Sequence, residues 1–150
     1  MCNGFSTRTS QGGSIAVLRP TEHHTEPERT SSDQEWHLLF SNDDENLHRS
    51  GTQVQLRGWR GKQRSSIGGY WVVIHHDGDL SASLQGPPNR LLSDPLFSFL
   101  LDENSFSVTQ LPQRLDLSVG DAGIIGRRVS VMTSSAKGPL AIAEGIIGWN

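Results

Sequence analysis

The stretch Tyr70-Trp71-Val72-Val73-Ile74-His75-His76-Asp77-Gly78-Asp79 is the most β-prone in the chain, and it closes on a Gly-Asp pair that turns the backbone. A strand has a side-chain period of two, so Tyr70, Val72 and Ile74 share one face while Trp71, Val73 and His75 share the other. One apolar face demands a second layer to bury it. The other face carries an imidazole among apolar neighbours, and whatever the chain does chemically has to be reconciled with that face.

Segments before and after this strand follow the same logic. Ser14 to Leu18 is a short apolar run stopped by Pro20, Glu35 to Phe40 is a second, and Gly51 to Trp59 alternates, with Val54 and Leu56 on one face and Gln53, Gln55 and Arg57 on the other. Leu96 to Leu101 and Ser105 to Leu111 flank Asp102-Glu103-Asn104, the pattern of a hairpin turn. Arg114 to Val119 alternates again before Gly120-Asp121, Gly123 to Met132 reads as a further strand, and Leu140 to Trp149 as the last. Sixteen glycines and seven prolines punctuate these runs, and no segment shows an amphipathic helical period. Eight or nine short strands at roughly ten-residue spacing predict an all-β antiparallel sandwich or barrel. With 150 residues there is room for one such domain. Residues 1–13, rich in Ser, Thr and Gly, read as a flexible N-terminal tail and residues 14–150 as the domain.

Composition excludes several classes of partner. A net charge of -3, with acids interspersed among the bases, gives no footprint for nucleic acid or an anionic membrane. The basic loop from Arg57 to Arg64, with Trp59, could stack a base, but a solvated hairpin loop is the plainer reading. No apolar run approaches the roughly 20 residues of a membrane span, and residues 1–13 are too polar for a secretory leader, so the expected location is cytoplasmic. Cys2 is the only cysteine, which rules out an intramolecular disulfide and a thiolate metal cage.

Gly78-Asp79, Gly86-Pro87, Gly123-Ile124-Ile125-Gly126-Arg127 and Gly145-Ile146-Ile147-Gly148 occur in an order and at intervals that resemble the landmarks of copper/zinc superoxide dismutases. The strand ending at His75 is similar to the one with which that family begins its copper site. The resemblance covers 69–150 well and 14–68 more loosely. It implies a superoxide dismutase-like, eight-stranded antiparallel Greek-key barrel.

The family's chemistry does not follow its scaffold. At the positions that the resemblance matches to copper-binding histidines the chain has Val73, His75, Pro88 or its neighbour, and Met132, so one imidazole remains where both copper oxidation states need several. His75 is the one candidate metal ligand. Asp94 matches a zinc ligand but cannot make a site alone. Leu84 and Glu144 stand at the positions of the family's disulfide, and Ala141 at its anion-guiding arginine. The two functional loops of the family are shortened, between Gly86 and Asp94 and between Met132 and Leu140.

Preserved corners with dismantled ligands imply a catalytically inactive relative with no bound cofactor, acting through protein contacts with a dismutase, its copper chaperone or a second copy of itself. The alternative is a superoxide dismutase or copper-binding protein with a site rebuilt around His75, Met132 and loop histidines such as His23 and His24. A third reading is an unrelated β-sandwich adaptor. Two local questions stay open. Trp71 and Val73 form either an apolar recognition patch or a satellite core, and His75 is either a ligand or a strand histidine hydrogen-bonded to a neighbour. Trp149 would fall beside Gly78-Asp79 and Ile125-Gly126, where the resemblance places a dimer contact.

Overall fold

A computed structural model describes residues 13–21, 35–42, 51–58, 69–80, 95–101, 108–135 and 138–150. These form eight strands: β1 (Gly13–Pro20), β2 (Trp36–Asn42), β3 (Thr52–Arg57), β4 (Tyr70–Ile74), β5 (Phe97–Leu100), β6 (Thr109–Gln110), β7 (Arg128–Ser135) and β8 (Gly138–Trp149). They lie in one antiparallel sheet in the order β5-β4-β7-β8-β1-β2-β3-β6, curled into a half-barrel. The all-β expectation is met. No helix among the described residues is long and apolar enough to cross a membrane. The tail expected over residues 1–13 lies outside the described residues except for Gly13, which opens β1.

β8 holds the two halves of the sheet together. Its first part pairs with β7 and its second with β1. The register against β7 slips between Val131 and Met132, so that Val131 faces Ala143 while Met132 faces Ala141, and Ile142 is the extra residue of a bulge. The bulge lets Ile142 and Ala143, adjacent in sequence, both enter the core. Gly145 sits where β8 presses on β1: a Cβ there would come 2.2 Å from the Val17 carbonyl oxygen.

The concave face is filled by Leu18, Leu38, Phe40, Val54, Val72, Ile74, Val129, Val131 and Ile147 from six strands. At about 25 cal/mol per Å² of apolar surface removed from water, this contiguous cluster is the main force that folds the chain. Val72 and Ile74 join it while Tyr70 packs against its margin, so the face assigned to them by alternation is the inward one.

Two expected strands are corrected. Arg114 to Val119 is not a strand, and β7 starts at Arg128 rather than Gly123; 111–127 is a looping segment with one isolated bridge, Asp116 to Gly123. The alternation of Leu115, Leu117 and Val119 was real in polarity, yet its backbone groups find partners other than a ladder. Thr52 Oγ1 accepts the Leu115 N–H at 2.8 Å and donates to Asn42 Oδ1 at 2.6 Å, while Asn42 Nδ2 donates to the Leu115 carbonyl at 2.9 Å. Leu111, Leu115 and Ile124 then plug the core. Gly126, at φ +84°, ends any extended run before β7. The expected turn at Asp102-Glu103-Asn104 lies outside the described residues.

Candidate functional site

The outward face of β4, β7 and β8 is where the residues singled out by sequence meet. Trp71 pairs with Met132, which pairs with Ala141; one rung along, Val73 pairs with Ser130, which pairs with Glu144. One rung further, the His75 N–H donates to the Arg128 carbonyl at 2.9 Å. The three rungs grade from apolar to polar along the strands. This follows from period two: Arg128, Ser130 and Met132 alternate with Val129 and Val131, which point into the core.

At the apolar end, Val73, Met132 and Ala141 form a second buried cluster with Trp71 packed against it. Val73 and Met132 are about as inaccessible as the main core, at 1% and 0% exposure. Of the two readings of Trp71 and Val73, the satellite core is the one observed. A buried thioether between a valine and an alanine has lost no hydration it needs, and it presents no vacant face to an ion.

At the polar end His75 is buried, and its Nε2 lies 2.8 Å from Ser130 Oγ. Ser130 Oγ in turn donates to Glu144 Oε1 at 3.3 Å. A carboxylate only accepts, so it fixes the direction of the chain: Ser130 donates to Glu144 and receives the Nε2–H of a neutral His75. The histidine is hydrogen-bonded to a strand rather than to a loop. Burial first, and the Arg128 cation second, lower its pKa from 6.5 to about 4, with Asp77 acting in the opposite direction. A metal at Nε2 would have to displace Ser130.

Arg128 is itself buried and approaches Asp77 Oδ1 at 3.3 Å through Nε. The pair is close enough for charge attraction but not aligned, and Nε and Nη1 remain buried without a hydrogen-bond partner. Coulomb attraction therefore holds this guanidinium more than hydrogen bonding does. Its neighbour differs. Arg127 donates to four carbonyl oxygens, from Nε to Gly123 at 2.6 Å, from Nη1 to His76 at 2.7 Å, and from Nη2 to Gly120 at 3.1 Å and Asp121 at 2.7 Å.

The landmark segments converge beside this clamp. A Cβ on Gly78 would meet the Gly126 carbonyl oxygen at 2.2 Å, and the Gly126 N–H donates to the Ile147 carbonyl at 2.8 Å. Trp149 stands exposed at that end of β8.

Among the described residues no group of three or more His, Cys, Asp or Glu side chains is placed to hold a metal ion. His23, His24, Leu84, Gly86, Pro88 and Asp94 lie outside the described residues. Ser130 and Arg128 were missed by sequence reading, and so was the role of Glu144 as an acceptor. The signal that could have found Ser130 is its place on the polar side of the Arg128-Val129-Ser130-Val131-Met132 alternation, but its partners follow from register, which no single strand carries. No protein-family model and no curated protein matches the chain.

Proposed function

We propose that the protein is a catalytically inactive relative of the copper/zinc superoxide dismutases that acts through protein contacts, with a dismutase subunit, its copper chaperone or a second copy of itself as partner. The observation that carries this reading is the fate of three positions matched to the family's chemistry. Val73 and Met132, at copper-ligand positions, and Ala141, at the position of the guiding arginine, pack against one another as a buried apolar cluster. Residues matched one by one from sequence thus sit side by side, which supports the alignment, and their side chains suit packing rather than redox chemistry.

The fold supports the same reading. Segments around Gly78, Gly126 and Ile147 meet, as the resemblance implies for its landmarks. The sheet order places β7 beside β4 and β6 beside β3, and with β5 next to β6 the strands β4 to β7 would have the order 7-4-5-6 of a Greek key. The single cysteine fits a cytoplasmic setting.

The deciding experiment is metal analysis by mass spectrometry after purification without chelator, joined to a dismutase assay after copper and zinc loading. The expected result is substoichiometric copper and dismutation no faster than a protein background. Stoichiometric copper, lost in His75→Ala and accompanied by dismutation above that background, would instead establish a rebuilt copper site.

A further inference from the structure

We propose that Ser130 is a phosphorylation site of the unfolded chain, and that phosphorylation there and folding exclude one another. The acceptor is Ser130 Oγ, and the donor is a nucleoside triphosphate used by a protein kinase that selects basic residues just before serine. The inference is independent of the proposed function, since it concerns the chain before it has folded, whatever the partner.

The sequence supplies the recognition element. Arg127-Arg128-Val129-Ser130 places two guanidiniums three and two residues before a hydroxyl, and no other two basic residues in the chain are adjacent. On unfolded chain these charges suit a kinase groove lined by carboxylates, to which arginine offers paired N–H donors. The hydroxyl oxygen attacks the γ-phosphorus, the bond from that phosphorus to the oxygen bridging it to the β-phosphate breaks, and the nucleoside diphosphate leaves. The hydroxyl proton passes to the aspartate of the kinase's catalytic loop.

Folding withdraws every part of that element. Arg127 spends its guanidinium on four carbonyl oxygens, and Arg128 is buried against Asp77. Ser130 is 0% exposed. It lies in β7, between β4 and β8, with Val73 paired to it on one side and Glu144 on the other. A kinase holds its acceptor as a free extended segment, and β7 cannot be offered that way without breaking both ladders. The unfolded chain is therefore the substrate and the native one is not.

The product in turn cannot fold back. Ser130 Oγ sits 2.8 Å from His75 Nε2 and 3.3 Å from Glu144 Oε1 at a site closed to solvent, with no room for three further oxygens. A phosphoryl group would also set a charge of about −1.5 to −2 beside the Glu144 carboxylate. Arg128, two residues earlier on the same face, is already set against Asp77, and its charge creates no space. One covalent change thus removes the chain from the folding equilibrium until the phosphate is hydrolysed, while the sheet protects chains that have already folded.

The test compares the wild-type chain with the double variant Val72→Asp, Ile147→Asp, which sets two carboxylates in the core and leaves residues 127–130 intact. Circular dichroism first establishes that the variant is unfolded. Both chains are then incubated with ATP and an arginine-directed kinase, and phosphate on Ser130 is followed by peptide mass spectrometry. The expected result is ready phosphorylation of the variant and a rate at least about 1,000-fold lower in the native wild type, in proportion to its unfolded fraction. Equal rates overturn the proposal, and so does an unfolded variant that takes no phosphate on Ser130. A second arm uses the wild-type chain with phosphoserine placed at position 130 during synthesis. It is expected to lack the native circular dichroism spectrum and to gain it after phosphatase treatment. A native spectrum with the phosphate in place overturns the proposal, as does a chain that stays unfolded once the phosphate is gone.

Discussion

Arg127 shows how one side chain can hold a loop that has no ladder of its own. Its guanidinium gathers carbonyls from Gly120, Asp121, Gly123 and His76, which tie the segment before β7 to the turn after β4. A planar fork with five donors suits this task, whereas an ammonium offers a point charge with three. Arg127→Ala is expected to lower the unfolding free energy by about 3 kcal/mol, since several charge-assisted bonds are lost at a partly exposed site. Arg127→Lys should recover less than half of that in urea unfolding, and full recovery would show that charge alone suffices. The residue was legible in the sequence as half of a Gly-Arg landmark, but its work was not, because its acceptors are backbone oxygens of residues with no distinguishing side chain. Val73 and Met132 were the opposite case. Their apolar chemistry was plain from residue type, and period two put Val73 on its correct face.

The segment 111–127 teaches the corresponding lesson at the scale of an element. Alternation in Leu115, Leu117 and Val119 reports which side chains face the core, not where the backbone hydrogen bonds go. Here they go partly to Thr52 and Asn42, two buried or half-buried polar residues that face the loop from neighbouring strands. Thr52→Val, which keeps the shape and removes the hydroxyl, leaves the Leu115 N–H and Asn42 Oδ1 without their partner. Its expected cost is about 2 kcal/mol in denaturant unfolding, with faster exchange at the Leu115 amide, while Thr52→Ser restores most of both. An unchanged Leu115 amide would mean that the loop is held by its leucines alone. The bulge in β8 escaped the sequence for a related reason. Two residues opposing one is a relation between strands, and neither Ile142 nor Ala143 announces it. It is nevertheless what allows Ala141 to lie outward with Met132 while Ile142 lies inward.

At the scale of the whole molecule, strand number and antiparallel class followed from spacing and turns, whereas the order of strands had to come from long-range pairing. The described sheet has β5 at one edge and β6 at the other, with no ladder between them among the described residues. Sequence reading makes Leu96 to Leu101 and Ser105 to Leu111 the two arms of a hairpin, which would join those edges and close the barrel. The geometry of β5 makes this testable. The Leu101 N–H donates to the Tyr70 carbonyl at 2.9 Å, and bonds to β4 alternate along an antiparallel strand, so Phe97 and Phe99 point their N–H groups at β4 while Ser98 and Leu100 point theirs at the seam. Phe97 and Phe99 also turn their rings toward the core, with centroids 6.1 Å apart, so both faces of β5 are assigned. If the hairpin forms, the Ser98 and Leu100 amides exchange slowly despite the 69% exposure of the Leu100 residue as a whole. Exchange at the rate of an unprotected amide at both positions would leave the sheet a half-barrel. It would also remove the 7-4-5-6 strand order on which the finer fold assignment depends, because that order requires β5 to lie beside β6.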